Sequence, residues 1–280
     1  MKLNFNYIAM KGYKAYKKNN IKHSKSINNV STGKVIRSAK DNPNQVSKLG
    51  NFEKEIRGYQ SSRRNIQDTV SMIQSADTVM GSVTERISRI RELTVNAGSG
   101  AIDKSQKEIL QKEINSLVDG IDKEIKNYSF NGVNVLGNEN VKNNSKHEVV
   151  DVLSGVNTEN ITKIPSYNLS TEVLGIKDIN VVDKDIGEVL EKLDKAATDV
   201  TKARTSFGAI QNTLEDEMIN SKTLEESVTS SKSIIEDADI AAEMVEYTRT
   251  LMLTEANVKN MSKSIYFPTD IINAIGRLYK

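Results

Sequence analysis

The chain has 280 residues, 37% hydrophobic but only 5% aromatic, with neither tryptophan nor cysteine and a net charge of +2 on 27% charged residues. So little aromatic material argues against a thick globular core and suits long helices that each bury one stripe, while the missing thiols exclude disulfides, thiolate metal sites and a cysteine nucleophile. The charge balance describes a solvated surface rather than a nucleic-acid binder, and no apolar run approaches the roughly 18 residues of a membrane span or forms a signal-peptide core.

The first forty residues hold ten lysines or arginines and no acid before Asp41. Apolar residues including Leu3, Phe5, Ile8, Tyr13, Ile21 and Ile27 are scattered among them. The expectation is a cationic, weakly amphipathic helix with lysines around its whole circumference, which disfavours a membrane-surface helix. The three prolines are expected to mark boundaries, at Pro43, Pro165 and Pro268. Asn42 before Pro43 reads as an N-cap with proline at the first helical position, where its missing N–H costs nothing. No proline follows until after Asn96, so one helix over 44–97 is permitted, about 75 to 80 Å long.

On that helix Ile66, Ile73, Met80 and Ile87 fall seven apart, and Ala76, Val83, Ile90 and Ala97 form a second heptad track. Two such tracks make the apolar seam of a coiled coil. Gly98-Ser99-Gly100 is a stop signal, and Asp103 with Gln106 is a capping box opening the next helix, over 103–128. There Leu110 and Leu117 form one track and Ile114, Ile121 and Tyr128 another. A glycine-marked turn between heptad-patterned helices predicts an antiparallel pair.

The pattern changes over 131–182. Val133 and Val135 alternate, 147–153 is β-like, Ile161 and Ile164 flank polar residues, and asparagines and Gly155 supply turns. This stretch is too short for a domain with its own core. Helical periodicity then returns: Ile186, Leu193, Val200, Phe207 and Leu214 are seven apart, and Val228 and Ile235 resume the track after Ser221 interrupts it. Asp237-Ala238-Asp239 is a joint before a last helix carrying Met244, Leu251, Met252 and Val258. The fold class is mainly α: an elongated helical-bundle rod of long antiparallel heptad-patterned helices with a small β-hairpin region in the middle of the chain.

Catalytic patterns are missing from the sequence. His23 and His147 are far apart, and Asp151 stands where a zinc-protease motif would need its second histidine. Asp237 with Asp239 is better explained as a helix joint than as a metal pair. Neither a phosphate loop nor a serine with a nearby histidine base is present. The reading is not an enzyme, with no cofactor. Asn143-Asn144-Ser145, Asn160-Ile161-Thr162 and Asn168-Leu169-Ser170 fit the glycosylation sequon, which chance explains at least as well in an asparagine-rich chain.

In its N-terminal part the chain reads Ser31-Thr32-Gly33-Lys34, Ser38-Ala39-Lys40-Asp41, Ile56-Arg57-Gly58, Arg64-Asn65-Ile66-Gln67-Asp68, Arg89-Ile90-Arg91-Glu92-Leu93 and Phe130-Asn131-Gly132. Its C-terminal part reads Arg204, Phe207-Gly208-Ala209-Ile210-Gln211-Asn212, Ile235-Glu236-Asp237-Ala238-Asp239 and Glu243-Met244. Together and in this order these strings carry a resemblance to bacterial flagellin. It covers roughly residues 25 to 260 and leaves no room for large variable outer domains, so a short form is implied. The resemblance implies an inner-core segment over 1–42 and a rod domain over 43–182, the latter with helices over 44–97 and 103–128 and a β-hairpin region over 131–182. A C-terminal rod helix over 183–237 and a second inner-core segment over 238–280 complete it.

It further implies a structural subunit that polymerises into the flagellar filament for motility. Such a subunit is exported unfolded by the flagellar type III apparatus without a cleaved signal peptide, and lies outside the cell. Implied partners are further copies of the chain, an export chaperone, and filament cap and junction proteins. Nucleic acid and stable membrane insertion are not implied. Arg89, Leu93 and Glu113 match positions through which some flagellins are recognised by the animal flagellin-sensing Toll-like receptor, and are read as exposed intersubunit residues. Ile8, Ile21, Ile27, Leu251, Met252, Ile271 and Ile272 are read as filament-core assembly residues. Two rival readings are a hook–filament junction protein of the same superfamily and a secreted flagellin-like coiled-coil module for host or surface binding.

Overall fold

The computed structural model describes residues 7–99, 102–138, 141, 148–157, 159–182 and 185–278, with the side chains of 8, 9, 148 and 264–278 outside that description. Among the described residues five helices, α1 (Tyr7–Thr32), α2 (Pro43–Ala97), α3 (Lys104–Asn127), α4 (Ile186–Glu236) and α5 (Ile240–Leu278), accompany one antiparallel pair, β1 (Glu148–Leu153) and β2 (Ile161–Ser166). The fold is therefore mainly α with one small hairpin. Two compact units are present: Lys54–Ser227, and Met1–Glu53 with Val228–Lys280.

The helix boundaries follow local chemistry. The Asn42 side-chain oxygen Oδ1 accepts the Gln45 N–H at 3.3 Å, capping α2 where Pro43 begins it. Asp103 and Gln106 form the complete capping box of α3. Asp239 Oδ1 accepts the N–H groups of Ala241 and Ala242 and so caps α5. Gly98 ends α2 without left-handed backbone; instead its missing Cβ lets Ile186 pack close, with Cδ1 3.2 Å from where a Cβ would stand. Two prolines depart from expectation. Pro165 lies inside β2 opposite Val149, tolerated in a two-stranded ribbon with free edges, and α5 runs on through Pro268.

In the unit Lys54–Ser227 both heptad tracks of α2 are buried along their whole length. Successive contacts run in opposite directions along α2 and α3, so the two are antiparallel: Tyr128 Oη donates to the Met72 carbonyl at 3.0 Å, Arg86 meets Glu124 and Arg89 meets Glu113. α4 is antiparallel to α2 by the same criterion, through Arg63–Glu225, Asp77–Arg204 and Arg91–Asp194. On α3 the expected Leu110 and Leu117 track is only half-buried, and Val118 and Ile125 go deeper. On α4 Val189, Ala196 and Ala203 add a second buried track beside Leu193, Val200, Phe207 and Leu214. Ser221 does not interrupt that track; it is 6% exposed and occupies the next inward position, with its hydroxyl unpartnered.

The segment expected to lack a core contributes to this one. Val135, Leu136, Ile164, Tyr167, Leu169, Ile176 and Val181 are buried with the helices. Asn131 and Gly132, at φ 50° and 81°, make a two-residue turn in which Phe130 and Val133 exchange backbone hydrogen bonds at 2.9 Å. Asn134 then ties the chain down, donating to the Ile125 carbonyl and accepting from the N–H groups of Leu136 and Gly137. Gln111 acts as a substitute strand, donating to the Ile179 carbonyl and accepting from Val181 N–H. Of the sequons, Asn168 is buried and donates to the Val141 carbonyl, so it is closed to modification in the folded chain; 143–145 lies outside the described residues, as does His147.

The other unit pairs α1 with α5 in antiparallel sense. Its lysines do not encircle α1 as expected: Lys11, Lys14, Lys18, Lys22 and Lys25 recur at three- and four-residue intervals, the spacing of one helix face, and only Lys17 stands apart.

Candidate assembly surfaces

Two sequence motifs some 200 residues apart meet in the terminal unit. Gly33 takes φ 70°, which turns the chain out of α1. Val35 N–H then donates to the Glu236 carbonyl and Ala238 N–H to the Gly33 carbonyl, both at 2.8 Å, around an antiparallel bridge between Lys34 and Asp237. Lys34 Nζ lies 2.5 Å from Glu236 Oε1, and that carboxylate holds the lysine's pKa above its ordinary value. Asp41 closes the following turn by accepting the N–H groups of Arg37 and Ser38, which pulls its pKa down. Asp237 accepts the Ser233 hydroxyl and Asp239 caps α5, so the aspartate pair is structural.

The seam between α1 and α5 is polar. The Ser26 hydroxyl lies 2.9 Å from the Glu243 carbonyl and 2.5 Å from its carboxylate, whose other oxygen accepts from Asn29. His23 stacks on Tyr247 with ring centroids 4.8 Å apart and places Nδ1 3.2 Å from the Thr250 hydroxyl. Ser26, Asn29 and Thr250 are all buried. The sequence reading missed this seam; polar residues at helical spacing on α1 were its one visible trace.

Apolar side chains on the same helices point elsewhere. Ile21 is 63% exposed, Met252 64%, and Ile27 and Leu251 are also exposed. These four of the expected assembly residues are thus uncovered in the single chain; the side chains of Ile8, Ile271 and Ile272 lie outside the described residues.

The other expected site divides. Arg89 is exposed and bridges Glu92 and Glu113 at 3.0 and 3.2 Å, contacts that raise its pKa. Leu93, expected on the same surface, is 2% exposed. It belongs to the core because it stands three residues beyond Ile90 on the buried stripe, so Arg89 and Glu113 alone present surface. Near them Arg204 grips Asp77 through two bonds of 2.8 and 3.1 Å.

Residues 3–141 match the family model for the bacterial flagellin N-terminal helical region, and residues 190–273 that for the C-terminal helical region. The flagellar filament 33 kDa core protein of Treponema phagedenis is 27% identical over 274 residues, covering 94% of this chain and 96% of that protein. The flagellin of Bacillus subtilis is 28% identical over 305 residues, covering 98% and 100%. A solved structure from Vibrio parahaemolyticus, described as that of a candidate flagellar hook-associated protein, matches with a TM-score of 0.58 at 17% identity, covering 70% of this chain and 99% of that one; at that identity the likeness concerns the fold.

Proposed function

The chain belongs to the bacterial flagellin family, and from that premise we propose how it works as a structural subunit of the flagellar filament. Its function is self-assembly, and the observation that carries the mechanism is the uncovered apolar set Ile21, Ile27, Leu251 and Met252 on α1 and α5. These helices face each other through polar groups, so the hydrophobic effect has been left for contacts with other copies. Residues 1–42 and 238–280 act as inner-core segments and 43–237 as the rod, whose heptad stripes keep each subunit in one piece. Arg89 and Glu113 stand at a contact between rods, and the same exposed pair is what a flagellin-sensing Toll-like receptor would meet. Export of the unfolded chain with a dedicated chaperone, capping proteins at the growing end and an extracellular location complete the reading. The chain's family is one of structural proteins.

Electron microscopy of full-length protein after seeding tests this. Long filaments are expected, and they should disappear on deleting either 1–30 or 250–280. Seeded polymerisation that ignores both deletions overturns the mechanism. Short rings without filaments would point to a junction protein instead.

A further inference from the structure

The lysine face of α1 has a use that apolar docking does not explain. Lys11, Lys14, Lys18, Lys22 and Lys25 are all exposed, and at about 3.6 residues per turn their spacing gathers them within an arc of about 80° along about 21 Å of helix. α1 contains no acid to neutralise them. Among the described residues none of the five makes an ion pair; Lys22 lies where its charge, after that of Arg249, helps to lower the Glu246 pKa. The polar seam with α5 runs beside this face, through His23 and Ser26, and crosses into its arc only at Asn29, one turn beyond Lys25.

Charge is also divided unevenly along the chain. Residues 1–53 with 228–280 carry 17 lysines and arginines against 9 acids, a net +8; residues 54–227 carry 22 against 28, a net −6. A polymer of such chains brings surfaces of opposite sign together at high local concentration. If lysine face met lysine face, the repulsion would repeat with every subunit. We propose that the lysine face of α1 is an interchain contact that docks on the acidic surface of residues 54–227 of a second copy. Exposed ion pairs are individually weak, but a row of five sets register and speeds encounter. This inference rests on the filament-subunit reading for its partner.

The test uses full-length protein, half of it isotopically labelled, treated with a zero-length carbodiimide that joins amines to carboxylates in contact. Mixed-isotope cross-links should join Lys11–Lys25 peptides to carboxylates within 54–227. Sedimentation equilibrium should show self-association weakening about tenfold between roughly 50 and 500 mM NaCl as the charges are screened. The variant K11Q/K14Q/K18Q/K22Q/K25Q, altered only at exposed positions, should associate weakly and without salt dependence.

Association that strengthens with salt, or that is tighter in the glutamine variant, overturns the proposal, because the lysines would then be facing like charge. Flat self-association, with lysine-dependent binding to phosphatidylglycerol vesicles, overturns it in favour of a lipid surface. Microscopy of the same samples separates the two readings. Lysine-dependent association and cross-links without filaments would uphold this contact and sink the filament reading. Filaments indifferent to salt and to the substitutions would do the reverse.

Discussion

Lys34 and Glu236 meet at 2.5 Å although 202 residues separate them in sequence. The ion pair is the visible part of the joint, but its side chains are 46% and 15% exposed. The two backbone hydrogen bonds beside it, and the left-handed glycine that aims them, carry more of its geometry.

Replacing Gly33 should therefore cost more than replacing Lys34. Alanine at φ 70° is strained by about 1 kcal/mol even though its Cβ has open space, whereas removal of an exposed pair changes stability by about 0.5 kcal/mol or less. Urea titration of Gly33→Ala and Lys34→Ala checks the order; equal or reversed losses would show that the ion pair dominates.

Leu93→Ala should destabilise the unit Lys54–Ser227 by about 2 to 4 kcal/mol through the cavity it leaves. Arg89→Ala and Glu113→Ala, whose side chains are about half exposed, should leave the melting temperature nearly unchanged, because solvent screens the pair. Thermal unfolding separates the two classes. A stable Leu93→Ala protein would mean the side chain is not in the core.

Ser221→Ala should stabilise. The substitution removes a buried hydroxyl with no partner and improves helix propensity, together about 0.5 to 1.5 kcal/mol. The denaturant midpoint should rise; a fall would reveal a hydrogen bond that the serine makes through solvent.

The unit that holds α1 and α5 should lose stability on acidification. Asp41 has its pKa lowered by two backbone N–H groups, and that of Glu246 is lowered chiefly by Arg249. The folded state thus binds these protons less readily than the unfolded chain. The stabilisation is fully present above the ordinary values of 3.8 and 4.5 and is lost as pH falls through and below them. Melting curves from about pH 6 down to about 3 should show a shallower acid limb in Asp41→Asn, since that side chain has no charge to lose. An unchanged limb would assign the acid sensitivity elsewhere.

Much of the architecture could be read from the chain alone. The tracks through Ile66 and Ala76 are local arithmetic, because a helix turns seven residues into two turns whatever surrounds it. Caps at Asn42, Asp103 and Asp239 are local too: a side chain satisfying an N–H two or three residues on needs no distant partner. The spacing of Lys11 through Lys25 is local in the same way, since steps of three and four residues gather side chains on one face of any helix. Family membership came from ordered motifs at both ends of the chain.

Other features depended on contacts across large sequence distances. The sequence offered Leu93 as the next step of the stripe through Ile90, but it did not reveal that Arg89 reaches Glu113, which requires α3 to pack beside α2. Nor did it reveal that Val135, Leu169 and Ile176 would join the helical core, because short apolar runs carry no period that names their partner. The polar seam of Ser26, Asn29 and Thr250, and the clasp of Lys34 on Glu236, exist only once the two ends are brought together. Local periodicity determined the helices and the faces they offer; tertiary structure decided which faces the chain covers for itself and which it leaves exposed, because that choice is made by surfaces distant in sequence competing for the same water-free space.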